Sequence, residues 1–194
     1  NDPRISFKEL DLTHSLSIES MIRLESPDVV LHAAALSKPD DCERDPTRAN
    51  RINTEATHQL LQAASSVGSY FCYISTDFVF DGIQGMYHEE DQPDPVNHYG
   101  YSKWQAEKLV QAYPHPWSVV RTVLVYGKPV LGRPNFLSIV AERLRSGATY
   151  SVVDDQFRTP TFAGDLAAGV AKLIKDKHRG IFHLCGEEIM TPYD

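Results

Sequence analysis

The feature that most constrains the fold is an uninterrupted run of mostly apolar residues at 70–75, near the middle of the chain. A helical pattern precedes this run and ends at Gly68, and glycine adopts the left-handed conformation that closes many helices. The run does not alternate between polar and apolar residues, so it predicts a β-strand that is buried on both faces. Such a strand is typical of a parallel sheet that has helices on both sides.

Strand patterns and helix patterns alternate along the whole chain. The predicted strands are 29–33, 70–75, 117–126, 150–153 and 181–184. The predicted helices are 16–24, 46–67, 99–113, 136–146 and 163–175. This alternation predicts an α/β fold with a doubly wound parallel sheet.

The composition narrows the class of protein. The chain has 194 residues, 42% of them hydrophobic, and a formal net charge of −7, which suits one compact domain with a small appended lobe. The acidic balance disfavours a nucleic-acid or membrane-surface partner, and no apolar run is long enough to span a bilayer. Three widely separated cysteines are typical of a reducing compartment, and the eight histidines lack metal-ligand spacing. We therefore expect a cytoplasmic protein without a metal site.

Small or polar residues follow three of the predicted strands. Ala33 and Ala34 follow the first strand, Thr76 follows the second, and Gly127 follows the third. Ligands of open α/β sheets bind at the carboxyl ends of the strands. The sequence therefore predicts a ligand site at this edge of the sheet.

Tyr99 and Lys103 lie four residues apart in a predicted helix and so share one of its faces. Because an ammonium group favours a nearby phenolate, the pair predicts that the pKa of Tyr99 is lowered from about 10. Such a tyrosine can exchange a proton near neutral pH, and Thr76 offers a second hydroxyl to the same carbonyl oxygen. Together they predict reduction of a ketone by a nicotinamide hydride. The alternative is an exposed helix face and a turn after a strand.

Longer motifs make the chain similar to a known family. Residues 74–82 and 99–103 resemble signature segments of the extended short-chain dehydrogenase/reductases, and within them the dTDP-4-dehydrorhamnose reductases. Further matching segments are 11–13, 32–35, Cys42 with Glu43, Asn53, 121–127, 153–156 and 159–161. The resemblance covers nearly the whole chain and implies a Rossmann-like sheet with a small substrate lobe.

One part of the family pattern is absent from these residues. The family opens with a strand and a glycine-rich turn that holds the cofactor pyrophosphate at a helix N-terminus. The matching segments also stop before the C-terminal part of the family's substrate lobe. The resemblance therefore implies a fold truncated at both ends. An NAD(P)-binding Rossmann-like domain without its first βαβ unit would cover 1–126 and 161–185, and a partial substrate-binding lobe would cover 127–160 and 186–194.

The resemblance also implies roles for individual residues. Thr76, Tyr99 and Lys103 would be catalytic, with Tyr99 protonating the C4 carbonyl oxygen of a sugar. Besides Tyr99 and Lys103, the residues implied to contact NADPH or NADH are Asp11, Leu12, Ala33, Ala34, Ala35, Asn53 and Ser75. Besides Thr76, the residues implied to contact a nucleotide-sugar substrate are Asp77, Val79, Gln156 and Arg158.

Several of these residues also have a plainer interpretation. Asp77 and Asp11 both fit positions in turns, and Leu12 fits a core position. Asn53 fits an exposed position on a helix, and Arg158 fits a solvated loop. The sequence leaves both interpretations of each residue open.

Two functions of different classes stay open. The first is an NAD(P)H-dependent reductase of a nucleotide-linked 4-keto-6-deoxy sugar, or a related nucleotide-sugar epimerase or reductase. A dehydratase is disfavoured because Phe78 stands where that group carries glutamate. The second is a non-catalytic, NADP-binding regulatory subunit that resembles the methionine adenosyltransferase β subunit and binds a catalytic partner. Thr76, where that relative has serine, favours the enzyme. A homodimer is compatible with either function.

Overall fold

The computed structural model describes residues 4–128 and 134–193. The helices are α1 (Ser15–Glu25), α2 (Pro39–Arg44), α3 (Pro46–Asn50), α4 (Ala56–Val67), α5 (His98–Gln111), α6 (Phe136–Arg145) and α7 (Ala163–Lys175). The strands are β1 (Val29–His32), β2 (Tyr70–Thr76), β3 (Trp117–Thr122), β4 (Val125–Tyr126), β5 (Thr161–Phe162) and β6 (Gly180–His183). None of the described helices combines the length and apolar character that crossing a bilayer would require.

Four strands form a parallel sheet in the order β1-β2-β3-β6. Alternate residues of β2 face opposite sides: Phe71 and Tyr73 pack with α1, α4 and α5, whereas Tyr70 and Cys72 pack with α7. Burying a side chain as large as Phe71 stabilises the fold by about 1.5–3 kcal/mol. The buried central strand and the helices on both faces confirm the predicted α/β, Rossmann-like class.

The helix predicted at 46–67 is present, and it contains one irregular turn. A π-helical turn, Arg51–Glu55, joins α3 to α4 and carries Asn53. Gly68 closes α4 with a φ of 72°, which is the left-handed conformation that its sequence position predicted. The helix predicted at 163–175 has the bounds of α7.

Two predicted strands differ from the structure. The strand predicted at 117–126 breaks near Leu124, whose φ of 35° turns the chain, and its last two residues form β4, which pairs with β5 outside the main sheet. The strand predicted at 150–153 is wrong, because in the described part of the chain no strand pairs with those residues. The predicted division into a Rossmann-like domain and a lobe stays a prediction, and residues 1–3, 129–133 and 194 of it lie outside the described residues.

Candidate active site

The site is built where β2 ends. Thr76 is the last residue of β2, and its hydroxyl oxygen accepts a hydrogen bond from the Phe78 backbone N–H at 3.3 Å. The same hydroxyl donates to Asp77 Oδ1 at 3.1 Å. These contacts begin a short 3-10 turn, Asp77–Val79, that turns the chain away from the sheet. The Thr76 side chain is thereby fixed at the carboxyl end of the central strand.

Helix α5 packs closely against this turn, with Tyr99 and Gly100 in contact with Phe78. Asn97 caps the helix by accepting a hydrogen bond from the Gly100 backbone N–H at 2.8 Å. A Cβ atom at Gly100 would lie 2.0 Å from the Phe78 carbonyl oxygen, so any larger residue would collide with the turn. The Tyr99 ring packs edge-on against Phe78 at 5.6 Å between centroids. The glycine of this helix therefore allows the close approach that brings Tyr99 to the end of β2.

Tyr99 is 9% exposed, and its hydroxyl lies close to the Thr76 hydroxyl. Burial raises the pKa of Tyr99 to about 12, and the nearby Asp77 and Cys42 act in the same direction, while the Thr76 hydroxyl opposes them. The sequence predicted a lowered pKa, and for the chain without ligands that prediction is wrong. The physical reason is that burial disfavours the phenolate.

Lys103 is 3% exposed, and its ammonium group points at the backbone of β2. Its Nζ donates to the Ile74 carbonyl oxygen at 2.7 Å and lies 4.0 Å from the centroid of the Tyr73 ring. Burial lowers the pKa of Lys103 to about 7, and the Glu107 carboxylate opposes that shift. The alternative of an exposed helix face is therefore wrong for both Tyr99 and Lys103.

Asn53 ties this helix to the loop after β1. Its side chain accepts from the Leu36 backbone N–H at 2.8 Å and donates to the Leu36 carbonyl at 3.1 Å and to Ser102 Oγ at 2.9 Å. Ser102 Oγ in turn donates to the Tyr99 carbonyl at 2.8 Å. Asn53 is buried, so its interpretation as an exposed helix residue is wrong. The π-helical turn brings this amide to a place where it fixes the backbone that carries Tyr99.

The residues predicted to contact a cofactor fall into two groups. Ser75 is buried, and its hydroxyl lacks a hydrogen-bond partner in the described residues; Ala33 and Ala34 are small and exposed. These residues lie at the carboxyl ends of neighbouring strands, with Ala35 half-buried behind them. Asp11 and Leu12 form the second group, away from the hydrogen bonds around Tyr99.

The contacts of Asp11 and Leu12 fit their plainer interpretation. The Asp11 carboxylate accepts from the Thr13 backbone N–H and hydroxyl, each at 2.8 Å, and these bonds lower its pKa. Leu12 packs against the core on the α1, α4 and α5 side of the sheet. A contact of either residue with an adenine ring stays a prediction.

Two of the predicted substrate residues, Asp77 and Arg158, form an ion pair beside the turn that follows β2. Arg158 Nη1 donates to Asp77 Oδ2 at 2.8 Å, and its guanidinium carbon lies 4.8 Å from the centroid of the Phe78 ring. Arg158 Nη2 lies 3.5 Å from Gln156 Oε1. Burial raises the pKa of Asp77, and Arg158 opposes that shift. The two terminal nitrogens of the Arg158 guanidinium therefore contact the Asp77 carboxylate and the Gln156 side-chain amide.

A cavity of about 710 Å³ adjoins this ion pair. Asp77 and Arg158 line it on one side, and Phe157, Met86 and Ile189 add apolar surface. Its volume lies in the range of known ligand sites. Thr76, Tyr99 and Lys103 are not among its lining residues, so Asp77 is the link between the cavity and the surroundings of the tyrosine.

Val79 was predicted to contact the substrate, and the structure does not bring its side chain into the site. The side chain is completely buried at the end of the turn after β2. A buried valine at this position packs the turn and offers no surface to a sugar. Its predicted side-chain contact is therefore not supported.

Sequence reasoning missed a buried ion pair behind Lys103. Glu107 is completely buried on α5, and Arg121 on β3 donates to both of its carboxylate oxygens. Two signals were available: Glu107 lies four residues after Lys103, and Arg121 is the one charged residue in a strand pattern without other charges.

Comparison with known proteins identifies the family. The family model described as RmlD substrate binding domain matches residues 4–194. The chain belongs to this family. Its match to the RmlD family confirms the resemblance to the dTDP-4-dehydrorhamnose reductases and to the extended short-chain dehydrogenase/reductases that the motifs indicated.

Individual members of the family are similar over most of the chain. Methionine adenosyltransferase 2 subunit beta of Bos taurus is 32% identical over 98% of this chain. dTDP-4-dehydrorhamnose reductase of Streptomyces griseus is 35% identical over 90% of it. The crystal structure of dTDP-4-dehydrorhamnose reductase from Bacillus anthracis in complex with NADP superposes with a TM-score of 0.88, at 32% identity, over 94% of this chain.

The match covers only part of these relatives. The chain spans 59% of the length of both curated relatives and 64% of the Bacillus anthracis chain. The two curated relatives have names of different kinds, one a reductase and the other a subunit of a transferase. Membership of the family is therefore compatible with both functions considered from the sequence.

Proposed function

We propose that the protein is an NAD(P)H-dependent reductase of a nucleotide-linked 4-keto-6-deoxy sugar. The observation that carries this proposal is the approach of the buried Tyr99 hydroxyl to the Thr76 hydroxyl at the carboxyl end of β2, with the buried Lys103 one helical turn away. Two hydroxyls that converge on one point can both contact a carbonyl oxygen. The reductases of Streptomyces griseus and Bacillus anthracis support the same class of substrate.

The described residues fit a nicotinamide cofactor. The Ser75 hydroxyl is a buried polar group without a partner in the described residues, and the small Ala33 and Ala34 are exposed at the carboxyl end of the neighbouring strand. The Bacillus anthracis relative, solved with NADP, supports this assignment. When bound, the cofactor supplies the hydride. We propose that Ser75, Asn53, Lys103 and the alanines hold or border it.

The protonation states suit the direction of reduction. Because the pKa of Tyr99 is raised to about 12, its phenol keeps its proton at neutral pH and can donate it to the carbonyl oxygen as negative charge develops there. Thr76 can turn its hydroxyl from Asp77 to donate a second hydrogen bond to that oxygen and orient it. The Lys103 ammonium, one turn away, stabilises the phenolate that Tyr99 becomes. Asp77 and Arg158 border the sugar and its phosphates.

The test is consumption of NADPH by the intact protein with a dTDP-4-keto-6-deoxy sugar. We expect turnover by the wild type and a loss of about 10²–10⁴-fold in Tyr99→Phe, which lacks the proton donor. Tyr101→Phe removes a hydroxyl from the same helix at a residue that is 49% exposed, and it retains wild-type turnover. Full turnover by Tyr99→Phe would falsify the assignment of the proton donor.

A second candidate function rests on one observation. The bovine methionine adenosyltransferase 2 subunit beta matches 98% of this chain at 32% identity. This similarity supports a non-catalytic subunit that binds NADP and a catalytic partner. Co-purification of the intact protein with a methionine adenosyltransferase, together with no consumption of NADPH in the presence of the sugar, favours this candidate over the reductase.

A further inference from the structure

A row of buried polar side chains extends from the tyrosine toward the opposite end of α5. Tyr99, Lys103 and Glu107 recur every four residues, so they share the helix face that packs on the sheet. Glu107 is completely buried. A carboxylate in that position must have a partner, because isolated buried charge is costly.

Arg121 supplies the partner from β3. Its Nε lies 3.0 Å and 3.3 Å from the two Glu107 carboxylate oxygens, and its Nη2 donates to one of them at 2.8 Å. The remaining nitrogen, Nη1, lies 3.4 Å from the Glu89 carbonyl oxygen and 3.4 Å from His183 Nε2. This fork-like contact fixes the position of the Glu107 carboxylate more tightly than a single hydrogen bond does.

The position of Glu107 matters for Lys103. The Lys103 ammonium donates to a neutral carbonyl and lies over a neutral ring, and both contacts favour the cation without supplying an opposite charge. Among the described carboxylates, Glu107 is the one whose charge favours the ammonium form of Lys103.

The other titratable groups around Lys103 carry no compensating charge. They are His32 from β1, Tyr73 from β2 and Tyr99 from α5 itself. Burial lowers the pKa of His32 to about 3 and raises the pKa of Tyr73 well above 10, so both are neutral near pH 7. The pKa of Tyr99, about 12, leaves that side chain neutral as well.

We propose that Glu107 is a positioning residue for the carbonyl reduction: it keeps the buried Lys103 side chain charged and directed at the end of β2, and Arg121 holds the Glu107 carboxylate in place. This inference deepens the proposed function and rests on it for its catalytic meaning. Its physical content, the charge of Lys103, is measurable without turnover.

The test follows the Lys103 ammonium by NMR in intact protein that contains 15N-labelled lysine. The Lys103 signal is assigned as the one that disappears in Lys103→Met. We expect a titration midpoint near 7 in the wild type and a midpoint lower by about one pH unit in Glu107→Gln. Glu107→Asp retains the carboxylate, so its Lys103 midpoint should lie closer to the wild-type value than that of Glu107→Gln does. Glu90→Gln makes the same chemical change at an exposed residue and leaves the midpoint unchanged.

A second variant keeps the test decisive if Glu107→Gln does not fold. Glu107→Gln/Arg121→Met removes both members of the ion pair, so no unpaired charge is left buried. We expect a lowered Lys103 midpoint in this double variant too, by less than in Glu107→Gln because the positive charge of Arg121 is removed as well. An unchanged midpoint in either folded variant overturns the proposal.

Kinetics separate this inference from the proposed function. If the wild type reduces the sugar, the alkaline limb of its kcat profile moves to lower pH in Glu107→Gln by the same amount as the NMR midpoint, while KM is unchanged. A merely structural role would lower kcat at every pH without moving the limb, and that result overturns the proposal. If the wild type reduces no sugar, the proposed function fails, and the NMR titration alone decides the role of Glu107.

Discussion

Two ion pairs hold the candidate site together, and they differ in their access to water. Glu107–Arg121 joins α5 to β3 with side chains that are 0% and 3% exposed, whereas Asp77–Arg158 keeps 28% and 21% of its side chains exposed. Both have the same closest distance, 2.8 Å. The distance therefore does not reveal the role of an ion pair, but its exposure does.

Exposure decides whether an ion pair can exchange partners. Arg121 also lines the 710 Å³ cavity, but its guanidinium is held by the buried Glu107 carboxylate, and breaking this pair leaves a charge in the protein interior. Arg158 borders the 710 Å³ cavity, so its guanidinium can leave Asp77 for the phosphate of a substrate at modest cost. The first pair therefore belongs to the framework behind Lys103, the proposed catalytic lysine, and the second belongs to the proposed substrate side.

The largest effect that sharpens this comparison is expected for Arg121→Met. The substitution leaves Glu107 buried without its partner, so we expect the free energy of unfolding to fall by about 3–5 kcal/mol. Urea denaturation followed by circular dichroism measures it. The matched control is Arg23→Met, which removes an exposed pair with Glu19 and should change the free energy by less than about 0.5 kcal/mol. Equal effects of the two substitutions would remove the distinction between buried and exposed pairs.

A smaller effect on the free energy of unfolding is expected from the buried His32, through its dependence on pH. Burial lowers the pKa of His32 to about 3, below its ordinary value of 6.5, so its contribution to stability is complete above pH 6.5 and is lost as the pH falls toward 3. Between pH 6.5 and pH 5 this one group accounts for about 2 kcal/mol of unfolding free energy.

The measurement is urea denaturation at several pH values in this window. His32→Gln should be less sensitive to acid than the wild type by that amount, while His58→Gln, at an exposed position of α4, should titrate like the wild type. If the wild type and His32→Gln have the same pH dependence, His32 is not buried in its neutral form.

The smallest effect on stability is expected for Arg158→Met. Because this pair is partly exposed, we expect its loss to lower the free energy of unfolding by less than about 1 kcal/mol. The KM for the nucleotide sugar should nevertheless rise about tenfold or more, because a charged hydrogen bond to the substrate is lost. A large loss of stability with an unchanged KM would instead make Arg158 part of the framework.

Much of the site could be predicted because its signals are local. The spacing of Tyr99 and Lys103 follows from the geometry of one helix, and Thr76 follows the strongest strand pattern in the chain. Their convergence followed from the rule that parallel strands present their carboxyl ends at one edge. The pKa of Tyr99 could not be predicted in this way, because burial depends on residues such as Phe78 that approach from another part of the chain.

The parts that could not be predicted depend on distant partners. Asp77 and Arg158 are 81 residues apart, and no local pattern indicates that they meet. β4 and β5 have two residues each, which is too short for any periodic pattern. Residues 150–153 have the composition of a strand, but composition does not supply a neighbouring strand to pair with.

The central claim is that Tyr99 protonates a sugar carbonyl that receives a hydride from NADPH. The most direct test follows deuterium from NADPH that carries deuterium at both C4 positions of the nicotinamide into a dTDP-4-keto-6-deoxy sugar, using the intact protein. We predict deuterium at C4 of the sugar product with the wild type and transfer that is slower by about 10²–10⁴-fold with Tyr99→Phe. Transfer at the wild-type rate by Tyr99→Phe, or no deuterium in the sugar with the wild type, would contradict the claim.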